Sequence, residues 1–240
     1  MDHYNERIDK IIASTGLMSR KDAKKAAKER RILLNGEPIK DCSAKSNEND
    51  ILTLDGKIIK YEKYIYVMLN KPKGYVCSTD DPSSPIINSL LSPELQKLNL
   101  FSIGRLDKNT TGLVVLTNDG ILAHNLISPN KHVDKKYYVE TKVAIKNSDI
   151  EYFKLGATLE DGYKCLPADL HPTGTNKAQI IIREGKYHQI KRMFESIGNK
   201  VLDLSRISIG GLSLDIGLKP GEFRILTPEE ITLLRNCNNP

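Results

Sequence analysis

The chain has 240 residues, 39% hydrophobic and 28% charged, with a formal net charge of +6. A chain this long buries roughly 70–75% of its unfolded surface, so its core needs no disulfide or metal. No apolar run approaches the roughly 20 residues of a membrane helix. The start "MDHYNERIDK" lacks the apolar stretch of a signal peptide, and the positive balance points to a polyanionic partner.

The first elements form a small basic module. Ile8, Ile11 and Ile12 fall at i, i+3, i+4 and predict a short amphipathic helix. In "SRKDAKKAAKERRILLNGEPI", Ser19 reads as an N-cap with Asp22 three residues on, a start like a capping box. Ala23, Ala26 and Ala27 make a small-residue face. Lys21, Lys24, Lys25, Lys28 and Arg31 fall on the other side, and Arg20–Arg31 holds seven basic residues against two acidic ones. Ile32-Leu33-Leu34, an Asn35-Gly36 turn and Pro38-Ile39 then read as a hairpin. Taken together, "RIDKIIASTGLMSRKDAKKAAKERRILLNGEPI" resembles the S4 RNA-binding domain, which presents a basic helix to RNA. The expected organisation is this module at 1–59, a charged linker "KYEK" within 60–64, and a larger domain at 65–240.

In the larger domain "YIYVMLN" reads as a strand stopped by Pro72 and Gly74, and "STDDPSSPI" as a loop. "GRLDKNTTGLVVLTNDG", Gly104–Gly120, contains the buried strand Leu113-Val114-Val115-Leu116 between turn signals. "KKYYVE" and "KAQIIIRE" follow as strands. "HQIKRMFESIG" is a helix with Ile190, Met193, Phe194 and Ile197 on one face and Gly198 as its stop. Several strands are joined by links too short for parallel crossovers. The fold class is therefore α+β, with a largely antiparallel mixed sheet and flanking helices.

Cys42, Cys77, Cys165 and Cys237 are widely spaced, and the five histidines are scattered. Neither pattern suggests a zinc site, and free thiols suit a reducing cytoplasm. No phosphate-binding glycine loop or dinucleotide fingerprint is present, so no nucleotide cofactor is expected.

"GRLDKNTTGLVVLTNDG" resembles the G-R-L-D-x-x-T-x-G-L signature of one pseudouridine synthase family, the one typified by the small-subunit rRNA enzyme. "YVMLNKPKGYVCSTDDP", "HVDKKYYVE" and "EGKYHQIKRMFESIGNKV" resemble its other blocks in the same order, and the likeness runs from about Glu6 to Glu230. The resemblance implies isomerisation of uridine without a cofactor or metal. It places the catalytic nucleophile on Asp107, the stacking tyrosine on Tyr137, the basic partner on Lys191 and the small apolar residue on Leu204.

These residue types suit the chemistry. A carboxylate can attack ribose or base, or take a ribose proton. A neighbouring cation keeps it charged in a partly dry pocket, and Lys191 is expected to do so rather than Arg192. A tyrosine offers a flat face and a hydroxyl. The uridine has to leave its stack, and Arg105 is expected to clamp the vacated position. Lys71, Lys73 and Arg192 are expected to meet substrate or phosphates. His124, His132 and His188 read as structural, and Asp80, Asp81 and Asp119 as loop or cap groups.

The expected partner is rRNA or an assembling small ribosomal subunit, met by a cytoplasmic monomer. "KYHQIKRMF", "LEDGYKCLPADL" and "YVCSTDDP" favour position 516 of 16S rRNA; a 23S rRNA enzyme of the same family is the alternative. A non-catalytic ribosome-assembly factor would not need the intact G-R-L-D. A carboxylate glycosidase would need a second carboxylate acting as acid, which these motifs lack.

Overall fold

The computed structural model describes residues 4–78 and 80–237 of the chain. The ends of the two expected domains and Thr79 of the "STDDPSSPI" loop lie outside the described residues. The chain divides into two compact units: Met1–Ile65 with Ser92–Asn99, and Tyr66–Leu91 with Leu100–Pro240. The division falls just after the expected linker. The short segment Ser92–Asn99, which the sequence reading leaves in the larger domain, groups with the front unit.

The front unit is built on two short helices, α1 (Ile8–Ser14) and α2 (Arg20–Lys28), with six short strands. β1 (Asn5–Arg7) pairs with β4 (Lys45–Asn47). β2 (Ile32–Leu34), β3 (Glu37–Pro38), β5 (Leu52–Leu54) and β6 (Lys57–Ile58) form an antiparallel sheet in the order β3-β2-β5-β6. Its core is Ile8, Ile11 and Ile12 against Ala23, Ala26, Ala27, Ile32, Cys42, Leu52 and Ile59. The alanines have no side chain beyond Cβ, so the two helix axes approach closely. The Ser19 side chain accepts the Asp22 amide and starts α2, a cap worth about 1 kcal/mol. Asn35 and Gly36 both take positive φ, as a tight two-residue hairpin turn requires.

The larger unit is organised by one sheet of order β11-β12-β10-β13-β9-β7-β15, with β14 (Leu212–Ser213) beside β13 and β8 (Phe101–Ser102) beside β9. Its strands are β7 (Tyr66–Lys71), β9 (Thr111–Thr117), β10 (Lys135–Thr141), β11 (Asp169–Gly174), β12 (Lys177–Ile182), β13 (Val201–Ile209) and β15 (Phe223–Ile225). Every pairing is antiparallel except β13 with β9. Leu113–Leu116 in β9 and Val67–Leu69 in β7 are wholly buried, so these central strands read as unbroken apolar runs rather than alternating ones.

The parallel β9–β13 contact needs a glycine. Gly112 has φ +96°, and a Cβ there would lie 2.2 Å from the Arg206 carbonyl oxygen and 2.7 Å from Ser205 Oγ. The glycine of the G-R-L-D-x-x-T-x-G signature is thus required where the loop of that signature enters the sheet. Helix α4 (Gly120–Ile127) is capped by Asp119, which accepts the Ile121 and Leu122 amides. Helix α6 (Gln189–Glu195) buries Ile190, Met193 and Phe194. Gly198, at φ +72°, lets Asn199 N–H reach the Phe194 carbonyl beyond its end. Helix α5 (Asn147–Lys154) packs on the edge strand β11, α7 (Pro228–Asn236) packs on α4 and β14, and α3 (Pro93–Gln96) belongs to the front unit's segment.

Candidate active site

The loop from Gly104 to Thr110 leads into β9, and its shape is set from underneath. Lys71, at the end of β7, is completely buried. Its Nζ donates to the carbonyls of Thr110 (2.8 Å), Asp107 (3.0 Å), Lys108 (3.2 Å) and Pro72 (3.2 Å). The expectation that Lys71 holds phosphate is therefore corrected. An ammonium at the floor of the loop cannot reach a backbone phosphate, and its donors are spent. Burial pushes Lys71 down to about 8 from the usual 10.5, while hydrogen bonding to the carbonyls favours the charged form. At neutral pH it remains mostly an ammonium and ties three stations of the loop together. The Gly74 amide donates to the Lys108 carbonyl (2.9 Å) and the Leu106 amide to Cys77 Sγ (3.4 Å), adding further restraints.

Held this way, the Asp107 carboxylate faces α6. Lys191 Nζ donates to Asp107 Oδ2 at 2.6 Å, and both side chains keep less than a third of their exposure. Arg192, one residue on, turns away and pairs with Asp161 at 2.6 Å. The helix period places successive residues about 100° apart, so only one of the two can serve the loop. Arg192 therefore does not partner Asp107.

A narrow cleft of about 80 Å³ opens beside the pair, lined by Asp107, Lys191, Tyr137, Leu204, Thr110 and His188 among others. Tyr137 and Leu204 are 7% and 6% exposed and supply its apolar surface. They come from β10 and β13, where a bulge at Lys136/Tyr137 re-aims the side chains. Arg105 is exposed and borders both this cleft and a larger cavity of about 630 Å³. Lys73 stays on the surface, paired with Asp203 at 2.7 Å.

Several residues here escaped the sequence reading. His188, read as structural, places Nε2 3.6 Å from Asp107 Oδ1. It has φ +51° at the cap of α6, a left-handed conformation that costs a non-glycine residue about 1–2 kcal/mol. Tyr187 is exposed and stacks on the His188 ring at 3.8 Å and 19°. Thr110 is buried, and its hydroxyl has no hydrogen-bond partner in the structure. Glu184, also buried, accepts from Tyr163 OH (2.7 Å), the Leu166 amide (2.8 Å) and Gln189 Nε2 (2.9 Å), and so anchors the turn that launches α6. The available signal was position: His188 stands three residues before Lys191 in the same block.

On the front unit Lys21, Lys24, Lys25 and Lys28 are exposed along α2. Arg31 is not free: its Nε and Nη2 donate to the two Asp55 carboxylate oxygens, both at 2.7 Å. A phosphate contact from Arg31 would have to compete with this exposed bidentate pair. Among the described residues no cluster of three or more His, Cys, Asp or Glu is arranged around a metal site, and no helix is long and apolar enough to cross a membrane.

The cleft thus joins a carboxylate paired with a lysine to apolar surface from a tyrosine and a leucine. The family model described as RNA pseudouridylate synthase matches residues 65–196, and the S4 domain matches residues 6–52. The chain belongs to the RNA pseudouridylate synthase family, carries an S4 domain in front, and is an isomerase that acts on RNA. It is 42% identical over 233 residues to a Bacillus subtilis (strain 168) protein named uncharacterized RNA pseudouridine synthase YtzG, across 95% of this chain and 98% of that one. It is 39% identical over 227 residues to ribosomal small subunit pseudouridine synthase A of Escherichia coli (strain K12), across 94% and 98%. A crystal structure described as pseudouridylate synthase matches with a TM-score of 0.69 and 38% identity, over 95% of this chain and 99% of that one.

Proposed function

We propose that this enzyme converts the uridine labelled 516 of 16S rRNA to pseudouridine, with Asp107 as the nucleophile. The reaction breaks the bond from C1′ to N1, turns the uracil and forms the bond from C1′ to C5. The C5 proton is lost and N1 gains one, so atoms balance and no redox partner enters. Asp107 carries the reading, because it is the carboxylate of the cleft and Lys191 sits 2.6 Å from it. Lys191 supplies the compensating positive charge. The Tyr137 ring and Leu204 bracket the turning base, and Arg105 fills the gap left by the everted nucleotide.

Likeness to the small-subunit enzymes over nearly the whole chain supports 16S rRNA, free or in an assembling subunit, as substrate. The enzyme works as a monomer in this reading, and the free thiols suit the cytoplasm. The exposed lysines of α2 give the S4 unit its hold on phosphates.

The test is pseudouridine mapping of rRNA from a strain lacking the gene, complemented by wild-type protein or Asp107→Asn. Uridine at 516 in the deletion and in the Asp107→Asn strain, restored by wild type, is the expected result. A loss confined to 23S rRNA overturns the target and leaves the chemistry. An unchanged map overturns both.

A further inference from the structure

The larger cavity holds a buried positive charge that no carboxylate among the described residues balances. Arg206 is 2% exposed and lines this cavity. Its Nε donates to the Leu113 carbonyl at 2.8 Å, and its Nη2 has no hydrogen-bond partner. Its Nη1 lies close to Gly104, 3.7 Å from where a Cβ would stand. No carboxylate pairs with it among the described residues.

A second cation shares the space. Lys135, half-buried on β10, donates only to the Val133 carbonyl at 3.0 Å. Burial and the neighbouring Arg206 both lower its pKa. Two desolvated like charges side by side are costly in an isolated protein.

Of the other charges of the wall, Arg105 is exposed to solvent and the rest have partners. Arg183 pairs with Asp134 (2.9 Å) and Asp169 (2.8 Å), Lys186 lies over the Tyr163 ring, and Glu184 is saturated by its three donors. The cavity shares Arg105, Tyr137, Gly185 and Lys186 with the Asp107 cleft, so it lies directly beside the reacting nucleoside.

We propose that Arg206 and Lys135 form an anion clamp for one of the two phosphodiesters flanking the target uridine, with Arg206 the principal donor. The inference rests on the reading of the Asp107 cleft as the uridine site. Turning a nucleotide out of its stack needs a fixed pivot in the backbone, and a guanidinium already desolvated by the sheet binds phosphate without first shedding water. Arg206 is thereby a binding residue for the strand, and its reach to Leu113 also aligns the clamp with the catalytic loop.

The test uses the full-length enzyme and an rRNA fragment centred on the uridine that mapping identifies, with the 5′ or the 3′ flanking phosphodiester replaced by neutral methylphosphonate. For wild type, kcat/KM should fall about 10- to 100-fold at one linkage and little at the other. Arg206→Lys and Lys135→Gln should lose kcat/KM on the ordinary fragment and lose little more on the neutral one. A purely structural strut would lower turnover of both fragments by the same factor. Lys135→Gln keeps the cycle usable where Arg206→Lys lowers the melting temperature, and the wild-type arm needs no variant.

Wild type indifferent to both neutral linkages overturns the clamp, as do losses that simply multiply. Inhibition by inorganic phosphate that both variants relieve, without sensitivity to either linkage, assigns the site to a free anion and also overturns it. If wild type converts no uridine, the reading of the cleft falls first.

Discussion

On the front unit Lys21, Lys24, Lys25 and Lys28 stand exposed along one helix; in the larger unit Lys71 and Arg206 are buried to within 2% of completely. The same charge does different work in the two settings. An exposed lysine is a hydrated point charge that meets a phosphate in any orientation and contributes through counterion release. A buried one has to be matched atom by atom, and Lys71 is matched by three carbonyls of the Asp107 loop and that of Pro72. The two settings therefore separate: hydrated charge on the surface of the front unit, and interior charge that fixes the loop carrying Asp107 or, at Arg206 Nη2, stays unpaired.

The sharpest way to break this separation is Asp107→Asn. Turnover should drop by at least about a thousandfold, followed as tritium release from C5-labelled uridine in rRNA, while RNA affinity stays within about threefold. Residual activity at a tenth of normal would mean that another group reacts.

Lys71→Met leaves four carbonyls without their donor and should cost about 3 kcal/mol of stability by urea titration. The pH dependence carries a definite sign. The folded group titrates near 8 and an unfolded lysine near 10.5, so between these values the unfolded chain holds more protons. Stability from this group is flat well below pH 8 and rises with pH across that window, by at most about 1.4 kcal/mol per unit. Wild type should show this slope relative to Lys71→Met. An opposite slope would mean that the carbonyls outweigh burial.

Lys191→Met should lower kcat by about a hundredfold and change RNA affinity little, with Arg192→Met close to wild type because that side chain is on Asp161. Equal losses in the two variants would erase the distinction the helix face makes.

The mildest effect per molecule belongs to the front unit. Changing Lys24, Lys25 and Lys28 together to Gln should flatten the slope of log affinity against log salt by about two to three units and leave kcat unchanged. An unchanged slope, with circular dichroism showing an intact fold, would make the stripe a solvated face and move the RNA anchor to the larger unit.

Local pattern was legible throughout. The isoleucine spacing of α1, the Ser19 cap, the Asn35-Gly36 turn, the apolar run of β9 and the buried face of α6 are each determined by residues within a few positions of one another. The choice of Lys191 over Arg192 rests on the family resemblance, and the structure pairs Lys191 with Asp107. What escaped was any role that depends on distant strands. Lys71 reads as one more basic residue at a strand end until β7 lies beneath the loop of β9. Arg31 reads as part of a stripe until Asp55 arrives across the sheet. His188 and Arg206 carry no local mark of their surroundings.

The amino-acid sequence by itself determined the α+β class and such local features as the spacing of α1, the Ser19 cap and the apolar run of β9, because these depend on short-range spacing and on which side chains tolerate water, while the signature loop was identified by its resemblance to a family. Only the tertiary structure decided which cations are buried and which carboxylates are already spoken for. Burial and pairing depend on what packs above and opposite a residue, and in a mixed sheet of order β11-β12-β10-β13-β9-β7-β15 those neighbours come from strands as far apart in the chain as Val67 and Ile225.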